Sequence, residues 1–411
     1  MPSLIQAFRA LRPGKNTADR VIAPPYDVVS SAEARKLVAG RPDSFLRISR
    51  PEIEFPEGTA ADSGPVYARG AENLARLEHE HVLQRDQQAS FYVYRMRLDE
   101  HVQTGLALTA SVAAYEQGRV RKHELTKPDK ELGRVRNIES LNAQTGPVLC
   151  AYRAKAEIAE LLGACTDVPP LFSASDANRV EHSIWQVREP ATVKALVAAF
   201  EKLDALYIAD GHHRSAAAAR VAAARRAPDQ AADASSEYFL SVAFPHDQLR
   251  ILDYSRVVKD LNGLGVPALL AEVAQAFELE PMAAGHAPTA KGEFAMYLDG
   301  HWYRLVLQAS ERPRDLVLGL DVSVLQQRLL EPLLGIGDPR TDPRIDFVGG
   351  IRGLRELERR VDSGRDAVAF ALHPTSMDEL MAVADAGQLM PPKSTWFEPK
   401  LADGLLSHVL D

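Results

Sequence analysis

Residues 207–216 read YIADGHHRSA, and they restrict the fold more tightly than any other stretch of the chain. A short apolar run meets an acidic turn, and the residues that follow, SAAAARVAAARR at 215–226, have very high helix propensity. Strand, turn and helix must therefore succeed one another within a few residues. His212, His213 and Arg214 fall at the helix N-terminus, where backbone N–H groups lack intrahelical partners and the macrodipole favours an anion. Such a position can bind phosphate. Gly211 lets the backbone approach closely, and Arg214 adds donors in a planar fork. Two competing readings are a plain helix cap by Asp210 and a metal site. The second is disfavoured, because adjacent histidines rarely point the same way and no HxxxH or HxxE spacing supports them.

The rest of the chain alternates strand and helix patterns, which predicts an α+β fold with mixed sheets, β-hairpins and packed helices. Hairpins are expected at 90–98 with 105–115, and at 292–298 with 301–308 across Asp299-Gly300, a pair suited to a type I′ turn. Helices are expected at 30–38, 64–88, 191–203, 322–334, 353–363 and 376–386, and strands at 147–152, 237–244, 250–254, 316–320 and 367–372. Residues 119–137 read as a polar loop, and 226–236 as the most flexible surface loop. A chain of 411 residues is long enough for two or three domains. The division expected is 1–256, a phosphate- or nucleotide-binding catalytic domain, and 257–411, an α+β domain whose arm at 390–400 returns toward the site.

Composition sets the class of partner. Lys and Arg number 48 against 56 Asp and Glu, a net charge of −8 that argues against coating nucleic acid by bulk electrostatics. Two cysteines, Cys150 and Cys165, are too few for a disulfide framework and read as buried thiols in a reducing compartment. There is no signal-peptide-like start and no apolar run of membrane-spanning length, so a cytoplasmic protein with a small-molecule substrate and no membrane contact is expected, with a homo-oligomer allowed.

Three further stretches carry more reactive groups than structure alone requires. In IAPPYDVVS, 22–30, two prolines fix an extended entry before Tyr26 and Asp27; Asp27 is read either as the cap of the next helix or as a general base or metal ligand. In RKHELTKPDKELGRVRN, 121–137, seven basic side chains counting His123 surround Glu124 and two other acids. A charged surface is one explanation. The other is a loop folding over a polyphosphate, with Lys127, Lys130 and Arg134 offsetting its charge and Glu124 handling a proton or a metal. In MPPKSTWFEPK, 390–400, Lys393, Ser394 and Thr395 could recognise a carboxylate or phosphate on a segment stiffened by prolines.

Taken together, PPYDVV, KHELTKPDKELGRVRN, IADGHHRSAAA, RVVKDLNGL, LDVSVLQQRLLEPLLGI and MPPKSTWFEPK resemble the bacterial and archaeal family catalogued as domain of unknown function 1015, often labelled ParB-like. The DGHHR turn is in turn similar to the phosphate-binding turn of the ParB and sulfiredoxin fold, which includes free serine kinases. That resemblance implies a strand-turn-helix phosphate element in which Asp210, Gly211, His212, His213 and Arg214 bind nucleotide phosphate. Sulfiredoxin has a reactive cysteine where this chain has a histidine, so sulfinic acid reduction is not expected. The activity implied is phosphoryl transfer between a nucleotide or polyphosphate and a small hydroxylated metabolite, with free L-serine and O-phosphoserine the best guess, in the kinase or the phosphatase direction. Asp27, Glu124 and His213 would be catalytic; Lys127, Lys130 and Arg134 would join the phosphate site; Tyr26, His123, Lys393, Ser394 and Thr395 would hold the substrate; Mg²⁺ would accompany the phosphates. The alternative is a ParB-like module that binds CTP or ATP and couples it to DNA or a protein partner.

Overall fold

A computed structural model describes residues 3–227, 231 and 233–411, and its fold is α+β. The chain forms two compact units, one of residues 1–122, 126–249 and 399–411, the other of 123–125 and 250–398.

The first unit is built on a nine-stranded sheet of β1 (Ile5–Gln6), β2 (Phe91–Leu98), β3 (His101–Ser111), β4 (Val120–Arg121), β5 (Val148–Tyr152), β6 (Phe172–Ser175), β7 (Glu181–Val187), β8 (Leu206–Asp210) and β9 (Tyr238–Pro245). Their order is β4-β8-β5-β9-β3-β2-β7-β6, with β1 pairing on β3. The pairs β4/β8 and β5/β9 are parallel. Side chains such as Leu106, Leu108, Cys150, Ile208 and Phe239 fill the core against α4 (Pro190–Glu201). Gly105 has a packing reason: a Cβ there would come within 2.4 Å of the Ala243 carbonyl oxygen.

The helices around the site are α1 (Ser31–Leu37), α2 (Gly64–His79), α3 (Pro128–Leu141) and α5 (His212–Arg225). α3 and α5 meet through Val135, Ile138, Ala217 and Val221, with Leu410 joining them. A separate small sheet aligns Leu83–Arg85, Ala10–Pro13, Ser407–Val409 and Ala143–Gln144, so strands from distant parts of the sequence close one layer.

In the second unit an antiparallel sheet runs β11-β13-β12-β15-β10-β14, from β10 (Tyr254–Val258), β11 (Glu278–Met282), β12 (Glu293–Leu298), β13 (His301–Val306), β14 (Ile345–Gly349) and β15 (Val368–Leu372). The β12/β13 turn has Asp299 at φ 49° and Gly300 at φ 77°, as a type I′ turn requires. Helices Val266–Ala276, Gly353–Asp362 and Met377–Asp385 complete the unit.

Several expectations need correction. The polar loop at 119–137 is mostly helix: Pro128 occupies the first turn, Asp129 and Glu131 favour the helix N-terminus, and Val135, Ile138 and Leu141 make a buried stripe three residues apart. The helix expected at 64–88 stops at His79, and Leu83–Arg85 is a strand. The strand expected at 316–320 is a turn, because the Asp315 carboxylate accepts from the N–H groups of Val317 and Leu318 at 2.8 Å. The first hairpin turns tightly, with Leu98 opposite His101 and Asp99 at φ 51°, so no long loop separates its strands. Part of the flexible loop expected at 226–236 lies outside the described residues. No helix among the described residues is long and apolar enough to cross a membrane.

Candidate functional site

Strand β8 delivers the DGHHR turn. Its register against β5 shifts between Ile208 and Asp210, a local irregularity of the kind that re-aims a side chain. Gly211 then takes φ 99° as the N-cap of α5, and no side chain caps that helix. A Cβ on Gly211 would sit 3.2 Å from Arg214 Nε and 3.3 Å from the Val148 backbone, so the position needs glycine for both conformation and space. Asp210 is therefore the last residue of the strand, not the cap.

Arg214 folds back over this turn with a side chain 10% exposed. Its Nη1 donates to the Pro147 carbonyl, and its Nη2 lies 3.6 Å from Asp27 Oδ2 and 3.8 Å from Asp210 Oδ2. Lys400 Nζ donates to Asp210 Oδ2 at 3.1 Å. Burial alone would push the Asp210 carboxyl up, but Lys400 and Arg214 outweigh it and hold Asp210 well below the ordinary carboxylate range. For Arg214 burial works against the charge, and Asp27 and Asp210 more than restore it, so the guanidinium is a permanent cation.

The PPYDVV segment is held by an arginine that sequence reasoning passed over. Arg50 Nη1 donates to the carbonyls of Tyr26 and Val29 at 2.7 and 2.6 Å, and its Nη2 to Ser31 Oγ at 2.9 Å. Ser30, not Asp27, caps α1, in a reciprocal capping box with Glu33. Asp27 is thereby left to face Arg214. Tyr26 lies under Arg134, whose guanidinium carbon is 3.9 Å from the ring centroid. Burial, aided by Asp27, pushes the Tyr26 phenol up to about 12, so it stays protonated.

Asp403 was also missed, because a DG pair, here in LADGLL at 401–406, reads as a turn and nothing more. Its backbone exchanges hydrogen bonds with Ala23 at 2.9 and 3.2 Å, which fixes it beside the PPYDVV segment. Burial raises its carboxyl to about 7 against the opposing pull of Arg214. Tyr26, Ser49, Arg134, Thr145, Arg214 and Asp403 line a cavity of about 30 Å³.

The basic stretch contributes through the start of α3. The Lys127 N–H donates to His213 Nε2 at 3.0 Å, so the histidine ties the first turn of α3 to that of α5. Glu131 braces the same junction, accepting from Thr126 Oγ1 at 2.9 Å and pairing with Arg220 at 3.0 Å. Lys130 stands in the first turn of α3, and His212 is buried as the first residue of α5.

Of the residues expected to act together, Tyr26, Asp27, Lys127, Lys130, Arg134, Asp210, Gly211, His212, His213 and Arg214 belong to the first unit, and His123, Glu124, Lys393, Ser394 and Thr395 to the second. In the second unit His123 is buried and its carbonyl accepts from Met390. Lys393 adopts φ 58° with Nζ 5.3 Å from the Tyr254 ring centroid. Ser394 is buried, its hydroxyl donating to the Pro391 carbonyl at 2.7 Å.

The sequence model of the family described as "Protein of unknown function (DUF1015)" matches residues 5–323. No curated protein matches the chain. Among solved structures, a free serine kinase in complex with AMP is 12% identical, covering 71% of this chain and 86% of its own at a TM-score of 0.35. A conserved hypothetical protein from Pyrococcus furiosus is 13% identical over 73% of this chain and 94% of its own, at 0.36. C-terminally truncated SbnI from Staphylococcus aureus is 12% identical over 72% and 85%, at 0.38. These similarities are too distant to carry an argument about chemistry.

Proposed function

The chain belongs to the DUF1015 family of proteins of unknown function, and from the geometry of its first unit we propose that it transfers a phosphoryl group between a nucleotide or polyphosphate and a small hydroxylated metabolite. The observation that carries this reading is Arg214. A guanidinium nine-tenths buried in the first turn of a helix that no side chain caps, beside a glycine at positive φ, is an arrangement suited to phosphate. Lys400 and Arg134 add cations, while Asp403, held near neutrality, adds less than a full negative charge.

Phosphoryl transfer asks for positioning and charge stabilisation more than for covalent help from the protein. In the proposed centre Gly211, His212 and Arg214 receive phosphate oxygens, and Lys127, Lys130 and Arg134 offset charge as it builds on the transferred group. Asp27 and Asp210 orient the Arg214 fork. His213, its Nε2 occupied by the Lys127 N–H, positions the two helix starts. Mg²⁺ bound to the nucleotide would screen its phosphates, while Asp27 and Asp210 face Arg214.

Free L-serine and O-phosphoserine are the first substrates to test. Purified protein incubated with O-phosphoserine and nucleoside mono- or diphosphates, and with L-serine and the corresponding higher phosphates, is expected to show transfer by phosphorus NMR. No transfer in either direction, with other alcohols included as acceptors, would overturn the proposal.

A further inference from the structure

We infer that the small cavity beside Arg214 receives the hydroxyl group of the acceptor and that Asp403 takes its proton. The inference rests on the phosphoryl-transfer reading and assigns that reaction a base that the sequence motifs do not contain.

Among the described residues, the buried polar atoms that lack hydrogen-bond partners include Asp403 Oδ1 and Arg214 Nε, and both residues line the cavity. Leaving such atoms unserved is costly, and more so where charge is involved. One is an acceptor and the other a donor. An ammonium group offers only donors, and a carboxylate or fully ionised phosphate only acceptors. A hydroxyl offers both. The cavity, at about 30 Å³, has the size of one or two water-scale groups and not of a whole nucleotide.

The walls are built to keep this space. A Cβ on Gly146, which also lines the cavity, would lie 3.4 Å from Asp403 Oδ1 and 3.3 Å from Arg214 Cδ. Gly404 sits at φ 91°, and a Cβ there would come within 2.8 Å of the Phe45 side chain, so the residue after Asp403 must be glycine. Ser49, which also lines the cavity, favours the charged form of the Asp403 carboxyl, and Ala23 pins its backbone on both sides.

The charged and titratable groups facing Asp403 are Arg214, Asp27, Arg134 and Tyr26. Burial and Asp27 raise its carboxyl, Arg214 and Arg134 lower it, and the balance at about 7 is where a general base works best at neutral pH. In the step itself the substrate O–H proton passes to Asp403 Oδ1 as an oxygen lone pair forms the new O–P bond. The bond from phosphorus to the bridging oxygen breaks, and its electron pair leaves with the shortened phosphate, beside Arg214. In the reverse direction protonated Asp403 returns the proton to the departing alcohol.

The test is Asp403→Asn, which keeps the shape and cannot accept the proton. The expected result is a loss of about 10²- to 10⁴-fold in kcat with ADP affinity unchanged by calorimetry. In the wild-type enzyme kcat/KM should rise to a plateau through about pH 7, and this limb should vanish in the variant. Turnover within about tenfold of wild type, or a limb that persists, would overturn the assignment. Because the reaction itself is proposed, a second readout does not use turnover. The ¹³C resonance of the Asp403 carboxyl should titrate near neutrality and shift with L-serine but not with L-alanine, which lacks the hydroxyl. No shift with L-serine or with any other alcohol found to bind would sink the inference, even if phosphoryl transfer were observed. Absence of transfer alongside that shift would sink the reaction and leave the hydroxyl site standing.

Discussion

Arg214 does two jobs through one guanidinium: it presents a permanent charge to an anion, and it holds the Asp403 carboxyl lower than burial alone would. Removing it separates them. Arg214→Ala should weaken nucleotide binding about 10- to 100-fold, the worth of a charge-assisted hydrogen bond, as read by calorimetry. In the same variant the pH limb assigned to Asp403 should move to higher pH, because the opposing charge is gone. Arg214→Lys should restore neither fully, since an ammonium cannot span Pro147, Asp27 and Asp210 as the fork does. At this scale the sequence was legible where a residue type was chemically conspicuous in its setting. Arg214 and Gly211 stood out between strand and helix. Asp403 and Arg50 did not, because an aspartate before glycine and an arginine before proline are what any surface turn contains. What distinguishes them is burial and a partner far away in sequence, neither of which a local pattern carries.

At the level of elements the strand-to-helix turn is the part most exposed to a single change. Gly211→Ala asks a residue with a side chain to hold φ 99° and puts a methyl 3.2 Å from Arg214 Nε. The expected cost is about 1–3 kcal/mol in urea unfolding, with loss of nucleotide affinity from the displaced guanidinium. An unchanged unfolding midpoint would mean that the turn adapts. Strand β8 and helix α5 were legible because propensity, turn chemistry and apolar pattern agreed along the stretch. Helix α3 was not: Lys130, Arg134 and Arg136 are interleaved with Asp129, Glu131 and Glu139, and its buried stripe of Val135, Ile138 and Leu141 is short enough to be hidden among charges. The turn at 315–320 was misread for the opposite reason, an apolar run whose N–H groups are satisfied by the Asp315 side chain instead of a neighbouring strand.

Across the whole molecule, two buried groups of the first unit make stability depend on pH in opposite senses. Asp403 has a folded value near 7 against an ordinary 3.8, so the folded state holds its proton longer than the unfolded chain and stability falls as pH rises from about 4 to 7. His408 is driven by burial from 6.5 down to about 4, so the unfolded chain binds its proton first and stability rises over about pH 4 to 6.5. Only the Asp403 slope remains between about 6.5 and 7. Denaturant midpoints of the ligand-free protein should fall there, and Asp403→Asn should flatten that decline; a midpoint indifferent to the substitution would show that the carboxyl ionises as freely in the folded state as outside it.

Apart from residues 123–125, the second unit lies, in sequence, inside the first, between Leu249 and Pro399, and the segment after it supplies Lys400, Asp403 and a strand of the small sheet. During synthesis the DGHHR turn is therefore made long before the carboxylate and lysine that complete its surroundings. Until they arrive, the cradle is short of residues it can gain only after the whole intervening unit has been translated. The closure of that long loop also carries an entropic cost that grows only slowly with its length, about 0.6 kcal/mol per doubling. Insertions within the second unit should thus tax the first far less than a stop placed before residue 399, which would leave a chain able to fold most of its sheet and unable to finish its site.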